Sequence, residues 1–142
     1  MKKSNQKVVL SLNTSPQAAW EIIGAVSGVE QWLAPMITSC RVEGNKRYCG
    51  TEGGEFEEDI ISVDHENRTF KYGIPKQHMM PVENIFGTMK VLEGTDSQAI
   101  VEWSWAFDVA EEKEQEAKEM LAHAGQVGLK GIEQLSLAKS AA

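Results

Sequence analysis

Residues Ile100 to Asp108, IVEWSWAFD, alternate so that Val101, Trp103, Trp105 and Phe107 share one face of a predicted strand. Glu102, Ser104 and Asp108 take the other face. Two indoles on one face are more bulk than a sheet this small needs for packing alone. Directly afterwards, Glu111 to about Lys139 predicts a long helix whose acidic opening suits the positive end of the helix dipole. Its apolar stripe runs through Ala117, Met120, Leu121, Ala124, Gly128, Gly131, Ile132 and Leu135 at helical spacing. A helix of that length covers the aromatic face, and the pair suggests an enclosed apolar pocket.

Upstream, residues 6–13 predict a first strand. Ser15 is an N-cap candidate with Pro16 at the first helical position, opening a helix over PQAAWEIIGAV that ends between Gly24 and Gly28. Val29 to Ala34 predicts a second short helix, stopped by Pro35. Residues 37–43 and 46–51 predict a hairpin. If Gly44-Asn45 is a two-residue turn, Glu43 pairs with Lys46, Val42 with Arg47 and Cys40 with Cys49. A longer turn shifts the register and separates the cysteines. Glu55–Asp64, Arg68–Ile74 and Asn84–Leu92 predict three more strands, with a turn at 65–67, a loop over Pro75–Pro81 and a turn at 94–97. The order is strand, two helices, about six strands and one long helix. It implies an α+β layer in which an antiparallel sheet wraps the C-terminal helix.

Composition narrows the function. The 142 residues are 42% hydrophobic, which predicts one domain over 1–142 with a sizeable core. A formal charge of −7 argues against nucleic acid or anionic lipid as an electrostatic partner. The opening MKKSNQKVV has no apolar signal core, and no window approaches the ~20 apolar residues of a membrane span, so a soluble, cytoplasmic protein is expected. Nothing in the sequence specifies an oligomeric state. Cys40 and Cys49 read either as a disulfide-capable pair or, in a cytosolic chain, as two reduced apolar thiols. His65, His78 and His123 lack a ligand spacing, and no nucleotide fingerprint or Ser/His/Asp signature appears, so no metal and no cofactor are expected.

Several segments, in this order, resemble the START-like helix-grip (SRPBCC) superfamily, and particularly its polyketide cyclase/dehydrase-like branch. The carriers are SPQAAWEII at 15–23, QW at 31–32, EDIISVDHENRTFKYGI at 58–74, PVENIFGTMKV at 81–91, VEWSWAFD at 101–108 and GLKGIEQL at 128–135. The resemblance implies an antiparallel sheet gripping a long C-terminal helix, and a cavity between them. It does not select a function, because the fold hosts lipid carriers, hormone receptors and ring-closing enzymes. Against the plant abscisic-acid receptors of the superfamily, Ile37 to Glu43 is similar to their second strand, with Thr38 where they carry a pocket lysine. Their Ser-Gly-Leu-Pro-Ala gate has no counterpart near Gly50 to Gly54, which argues against hormone sensing. Glu58 matches a glutamate that engages ligand through water, and Trp103, Met120, Ala124 and Gly128 fall on pocket-lining positions.

The expected ligand-binding set is therefore Thr38, Glu58, Tyr72, Ile85, Met89, Trp103, Trp105, Met120, Ala124 and Gly128. The glycines at 125, 128 and 131 each cost about 1 kcal/mol against alanine inside a helix, so they serve either close packing on the sheet or room for a ligand. Among Glu52, Glu55, Glu57, Glu58 and Asp59, alternation lets either Glu57 and Asp59 or Glu58 point inward, and the resemblance favours Glu58. An inward carboxylate among apolar groups should have a raised pKa. GTEGG at 50–54 reads as a gate or edge bulge, and Met79-Met80 as an adaptable lid or as packing on the sheet rim. The leading expectation is binding of a small apolar or aromatic molecule. The alternatives are a cyclase/dehydratase using Glu58 with Tyr72, and a protein-interaction domain like the chaperone-ATPase activators of this fold.

Overall fold

The computed structural model describes residues 1–141. Seven strands form a single antiparallel sheet: β1 (Lys2–Leu12), β2 (Ser39–Glu43), β3 (Lys46–Thr51), β4 (Gly54–Asp64), β5 (Thr69–Ile74), β6 (Val82–Glu93) and β7 (Ala99–Val109). Their order is β1-β7-β6-β5-β4-β3-β2, so the first and last strands are partners and the rest is a meander. Helix α1 (Pro16–Gly24) and helix α2 (Glu114–Ala141) pack on each other and on the sheet face that carries the core. This is the helix-grip arrangement expected from the order of elements.

Local chemistry places the boundaries. Ser15 caps α1 by accepting the Ala18 amide at 3.1 Å, with Pro16 just inside the helix. Gly44 has φ +60°, as the first central residue of a type II′ turn requires, and the hairpin register is Glu43 with Lys46 and Cys40 with Cys49. In β7 the expected alternation holds: Val101, Trp103, Trp105 and Phe107 are all buried.

Three boundaries differ from expectation by more than two residues. Strand β1 begins at Lys2 rather than near residue 6, because β7 runs on as far as Val109 and pairs with it. Lys2 and Ser4 there bind Glu114 at the start of α2. The second short helix expected over Val29–Ala34 is only a 3-10 turn, Val29–Gln31, entered through Gly28 at φ +78°. Trp32 and Leu33, which follow that turn, are both buried in the interior. Finally, the α-helix proper starts at Glu114, after a 3-10 turn over Glu111–Lys113.

Helix α2 buries Ala117, Leu121, Gly125, Gly128, Leu129, Ile132 and Ser136. Its glycines are sites of close approach. A Cβ on Gly125 would lie 2.8 Å from Trp105 and Val8, and one on Gly131 only 1.9 Å from the carbonyl oxygen of Trp32. Of the two readings of these glycines, close packing is the one the geometry supports. The helix lies against the sheet and against the Trp32 backbone along this stretch, and the interior space lies elsewhere.

Candidate functional site

That space is a cavity of about 310 Å3. Strand β7 supplies Trp103 and Trp105, β6 supplies Met89, and β5 supplies Tyr72 and Ile74. Phe56 and Glu58 come from β4, Arg47 and Cys49 from β3, and Trp32, Leu33, Met36 and Ile37 from the segment after α1. Met120, Leu121, His123 and Ala124 close it from the first half of α2, and Met79 and Met80 from the β5–β6 loop. Gln77 shapes that loop. Its side-chain oxygen accepts the amides of Met79 and Met80, and its nitrogen donates to the carbonyls of Met80 and Val82. The Met79-Met80 pair is thus held at the cavity by a built turn.

The aromatic wall is continuous. Trp103 meets Trp105 with ring centroids 4.9 Å apart and Trp32 edge-on at 5.8 Å. Tyr72 stacks on Phe70 at 5.5 Å. Tyr72 pairs with Gly87 across β5 and β6, and a Cβ at Gly87 would sit 2.2 Å from its ring. The missing side chain is what lets the phenol lean over β6 and accept the Trp103 Nε1–H at 3.0 Å.

One end of the cavity is polar. Arg47 and Glu58 are register partners on β3 and β4, and both are buried, at 5% and 4% exposure. Arg47 Nε donates to Glu58 Oε1 at 2.5 Å, and its Nη1 donates to the Val26 carbonyl at 2.7 Å. The guanidinium also lies 5.1 Å from the Phe70 ring and 5.5 Å from that of Tyr72. Burial disfavours its charge, yet the attraction of Glu58 outweighs this and holds the Arg47 pKa above its usual value. The Cys49 thiol donates to the same Glu58 oxygen at 3.3 Å. Burial, reinforced by the Glu58 charge, pushes both the Cys49 thiol and the Tyr72 phenol well above their ordinary values. Both groups are therefore neutral donors at pH 7.

Seven of the ten residues singled out in the sequence line the cavity: Glu58, Tyr72, Met89, Trp103, Trp105, Met120 and Ala124. Three do not. Thr38 lies just before β2, exposed, and donates to the Gly50 carbonyl at 3.3 Å, while its neighbour Ile37 is the residue turned inward. Ile85 is fully buried in the core outside the lining, and Gly128 is covered by Trp103, Leu33 and Trp32. Glu58 is the acidic residue that points inward, with Glu57 and Asp59 bonded to Lys46 instead. It is no isolated carboxylate, however, since Arg47 neutralises it. Arg47 is not in that set because a lone arginine in a hairpin reads as surface; its register opposite Glu58 is the signal that marks it. The 50–54 glycine cluster is no gate but the tight β3–β4 turn, with Thr51 Oγ1 donating to the Gly54 carbonyl at 2.7 Å.

The cysteines are free thiols, with Cys49 occupied by Glu58 rather than bridged to Cys40. His65 accepts the Trp20 indole N–H at 3.1 Å and serves the packing of α1. Among the described residues, no three His, Cys, Asp or Glu side chains gather as metal ligands would. No helix of the described residues is long and apolar enough to cross a membrane.

The profile of the family described as "Polyketide cyclase / dehydrase and lipid transport" matches residues 5–136. No curated protein is significantly similar to the chain. Among solved structures, an uncharacterised protein from Bacillus thuringiensis is 26% identical, with 94% of this chain and 99% of that one covered and a TM-score of 0.84. The protein XoxI from Bacillus cereus is 28% identical over 94% of this chain and 96% of its own, also at 0.84. Norcoclaurine synthase from Thalictrum flavum superposes at 0.77 over 96% of this chain and 94% of its own. At 14% identity, that last likeness speaks for the fold alone.

Proposed function

This chain belongs to the polyketide cyclase/dehydrase and lipid transport family, and on that premise we propose that its cavity holds a small apolar or aromatic molecule. The observation that carries the reading is the interior space of about 310 Å3, walled by three tryptophans, five methionines and the aliphatic side chains between them. Its volume sits at the small end of ligand pockets, which run from about 300 to 1,000 Å3. That size and the flat indole walls suit a compact ring system better than a long acyl chain.

The test is mass spectrometry of small molecules extracted from protein purified from its native host. A stoichiometric co-purifying compound of aromatic or apolar character is the expected result. An empty extract, together with no measurable binding of simple naphthalenes, would overturn the reading.

A second reading, turnover of a bound polyketide by Glu58 and Tyr72, is favoured by one observation: both side chains line the cavity. It predicts that Glu58→Gln abolishes turnover while sparing binding. Plain binding predicts only a modest change in affinity. Normal turnover of tested substrates by Glu58→Gln would remove Glu58 from any catalytic role.

A further inference from the structure

Of the six methionines in the chain, all but Met1 line the cavity: Met36, Met79, Met80, Met89 and Met120. Volume alone does not ask for this. Leucine and methionine replace each other in protein interiors at small cost, yet the same wall holds only Leu33 and Leu121. A thioether differs from an isobutyl group in two respects: its chain is unbranched, and its sulfur can be oxidised.

Exposure divides the five. Met89 on β6 is 2% exposed, whereas Met120 on α2 is 38% exposed and Met36, Met79 and Met80 are half-buried. A small neutral oxidant such as hydrogen peroxide therefore meets these four first and Met89 last. Met79 and Met80 cannot withdraw, because the Gln77 side chain holds both of their amides. The product is a sulfoxide, which exchanges a weak sulfur acceptor for a strongly dipolar S=O group. The wall offers it little in return. Arg47, Glu58, Cys49 and Tyr72 are already bonded to one another, to Val26 or to Trp103. Apart from His123, the rest of the lining is indole, thioether and hydrocarbon. A sulfoxide in that wall keeps water, and an apolar guest must either displace the water or leave the oxygen unpaired.

We propose that the rim formed by Met36, Met79, Met80 and Met120 is a reversible oxidation site, and that peroxide acting there makes the cavity release its apolar guest. The sulfur lone pair attacks one peroxide oxygen and the O–O bond breaks. The leaving hydroxide collects the proton left on the new S–OH, so one thioether and one peroxide become one sulfoxide and one water. A thiol-dependent sulfoxide reductase reverses the step, with two thiols joined as a disulfide and the oxygen lost as water. The inference rests on the cavity reading above and adds to it a control on occupancy.

2-Ethylnaphthalene titrated into 15N-labelled Cys40→Ser protein, followed by the indole N–H resonances, reads occupancy without interference from the half-buried Cys40 thiol. After graded peroxide, peptide mass spectrometry should find sulfoxide at Met120, Met79, Met80 and Met36 while Met89 is still a thioether. Affinity should then fall by about fivefold or more, the low end of the cost of burying an unpaired polar group. Methionine sulfoxide reductase with dithiothreitol should restore it. In the quadruple variant Met36→Leu, Met79→Leu, Met80→Leu and Met120→Leu, affinity should be indifferent to peroxide. The reductase arm decides the matter even if that variant folds poorly. Unchanged affinity with the four sulfoxides formed, a loss that the reductase does not restore, oxidation of Met89 before the four, or an equal loss in the leucine variant would overturn the inference. Each of these leaves the cavity reading in place. No binding of 2-ethylnaphthalene before any peroxide is added would overturn both.

Discussion

Trp103 donates its indole N–H to the phenol oxygen of Tyr72 at 3.0 Å, although the two residues sit on strands that are not neighbours. Strand β6 lies between them, and Gly87 at the crossing point has no side chain to keep them apart. The bond ties the aromatic wall of the cavity together across three strands.

Removing the phenol oxygen tests that tie. Tyr72→Phe leaves the buried Trp103 N–H without its acceptor, which should lower unfolding stability by about 1–3 kcal/mol. Urea denaturation measures it. An unchanged midpoint would mean that the indole finds another partner at no cost.

The ion pair at the polar end should behave asymmetrically. Arg47→Met strands a buried Glu58 carboxylate and should cost about 3–5 kcal/mol, whereas Arg47→Met combined with Glu58→Gln should recover much of the loss. Denaturation of the two single variants and the double variant gives the coupling directly. A double variant as unstable as Arg47→Met would show that the arginine matters for packing over Phe70 and Tyr72 rather than for neutralising Glu58.

Gly131→Ala sets helix propensity against space. Alanine is worth about 1 kcal/mol more than glycine within a helix. Here its Cβ would meet the Trp32 carbonyl at 1.9 Å, a backbone group that cannot rotate away. Overpacking of this kind costs about 1–3 kcal/mol, so the variant should melt at a lower temperature than the parent. A higher melting temperature would mean that the helix and the Trp32 segment separate easily.

Alkaline pH should loosen the fold through Cys49. Its thiol is held above the ordinary value of 9.0, chiefly by burial, so the folded protein retains a proton that the unfolded chain releases. Stability from this source is complete below about pH 9 and declines as pH rises further. Cys49→Ala should show a shallower alkaline decline than the parent in denaturation midpoints between pH 8 and 10.5. At pH 7.5 a thiol reagent should modify the half-buried Cys40 and spare Cys49. Modification of both at equal rates would contradict the buried, Glu58-bonded thiol.

How far the sequence reached depended on whether periodicity or register carried the signal. Alternation in 100–108 and the capped start at Ser15-Pro16 exposed the fold, because each is a local rule that tertiary packing left in force. The Gly44-Asn45 turn fixed the pairing of Arg47 with its hairpin partner Val42, but the next pairing, with Glu58, needed the β3–β4 register. That register depends on a second two-residue turn, at Glu52-Gly53, which the glycine cluster at 50–54 does not by itself place, so the polar end of the cavity is less legible than its aromatic wall. The resemblance puts Thr38 in the pocket, whereas the chain just ahead of β2 buries Ile37 and leaves Thr38 outside. Apolar content and Pro35 predict a helix over 29–34, whereas the chain makes only a 3-10 turn there before Trp32 and Leu33 enter the interior.

Helix α2 is pinned over Gly125 to Gly131 by contacts too tight to slide, while the half that borders the cavity carries Met120 at 38% exposure and the exposed His123. Met36, Met79 and Met80 line the same space half-buried. The threshold is therefore bristled rather than hinged. Unbranched thioether chains can fold aside one at a time, on the picosecond-to-nanosecond scale of side-chain rotation, without any movement of backbone. Guest exchange then needs no concerted opening, and how long a guest stays is decided by its grip on the far wall.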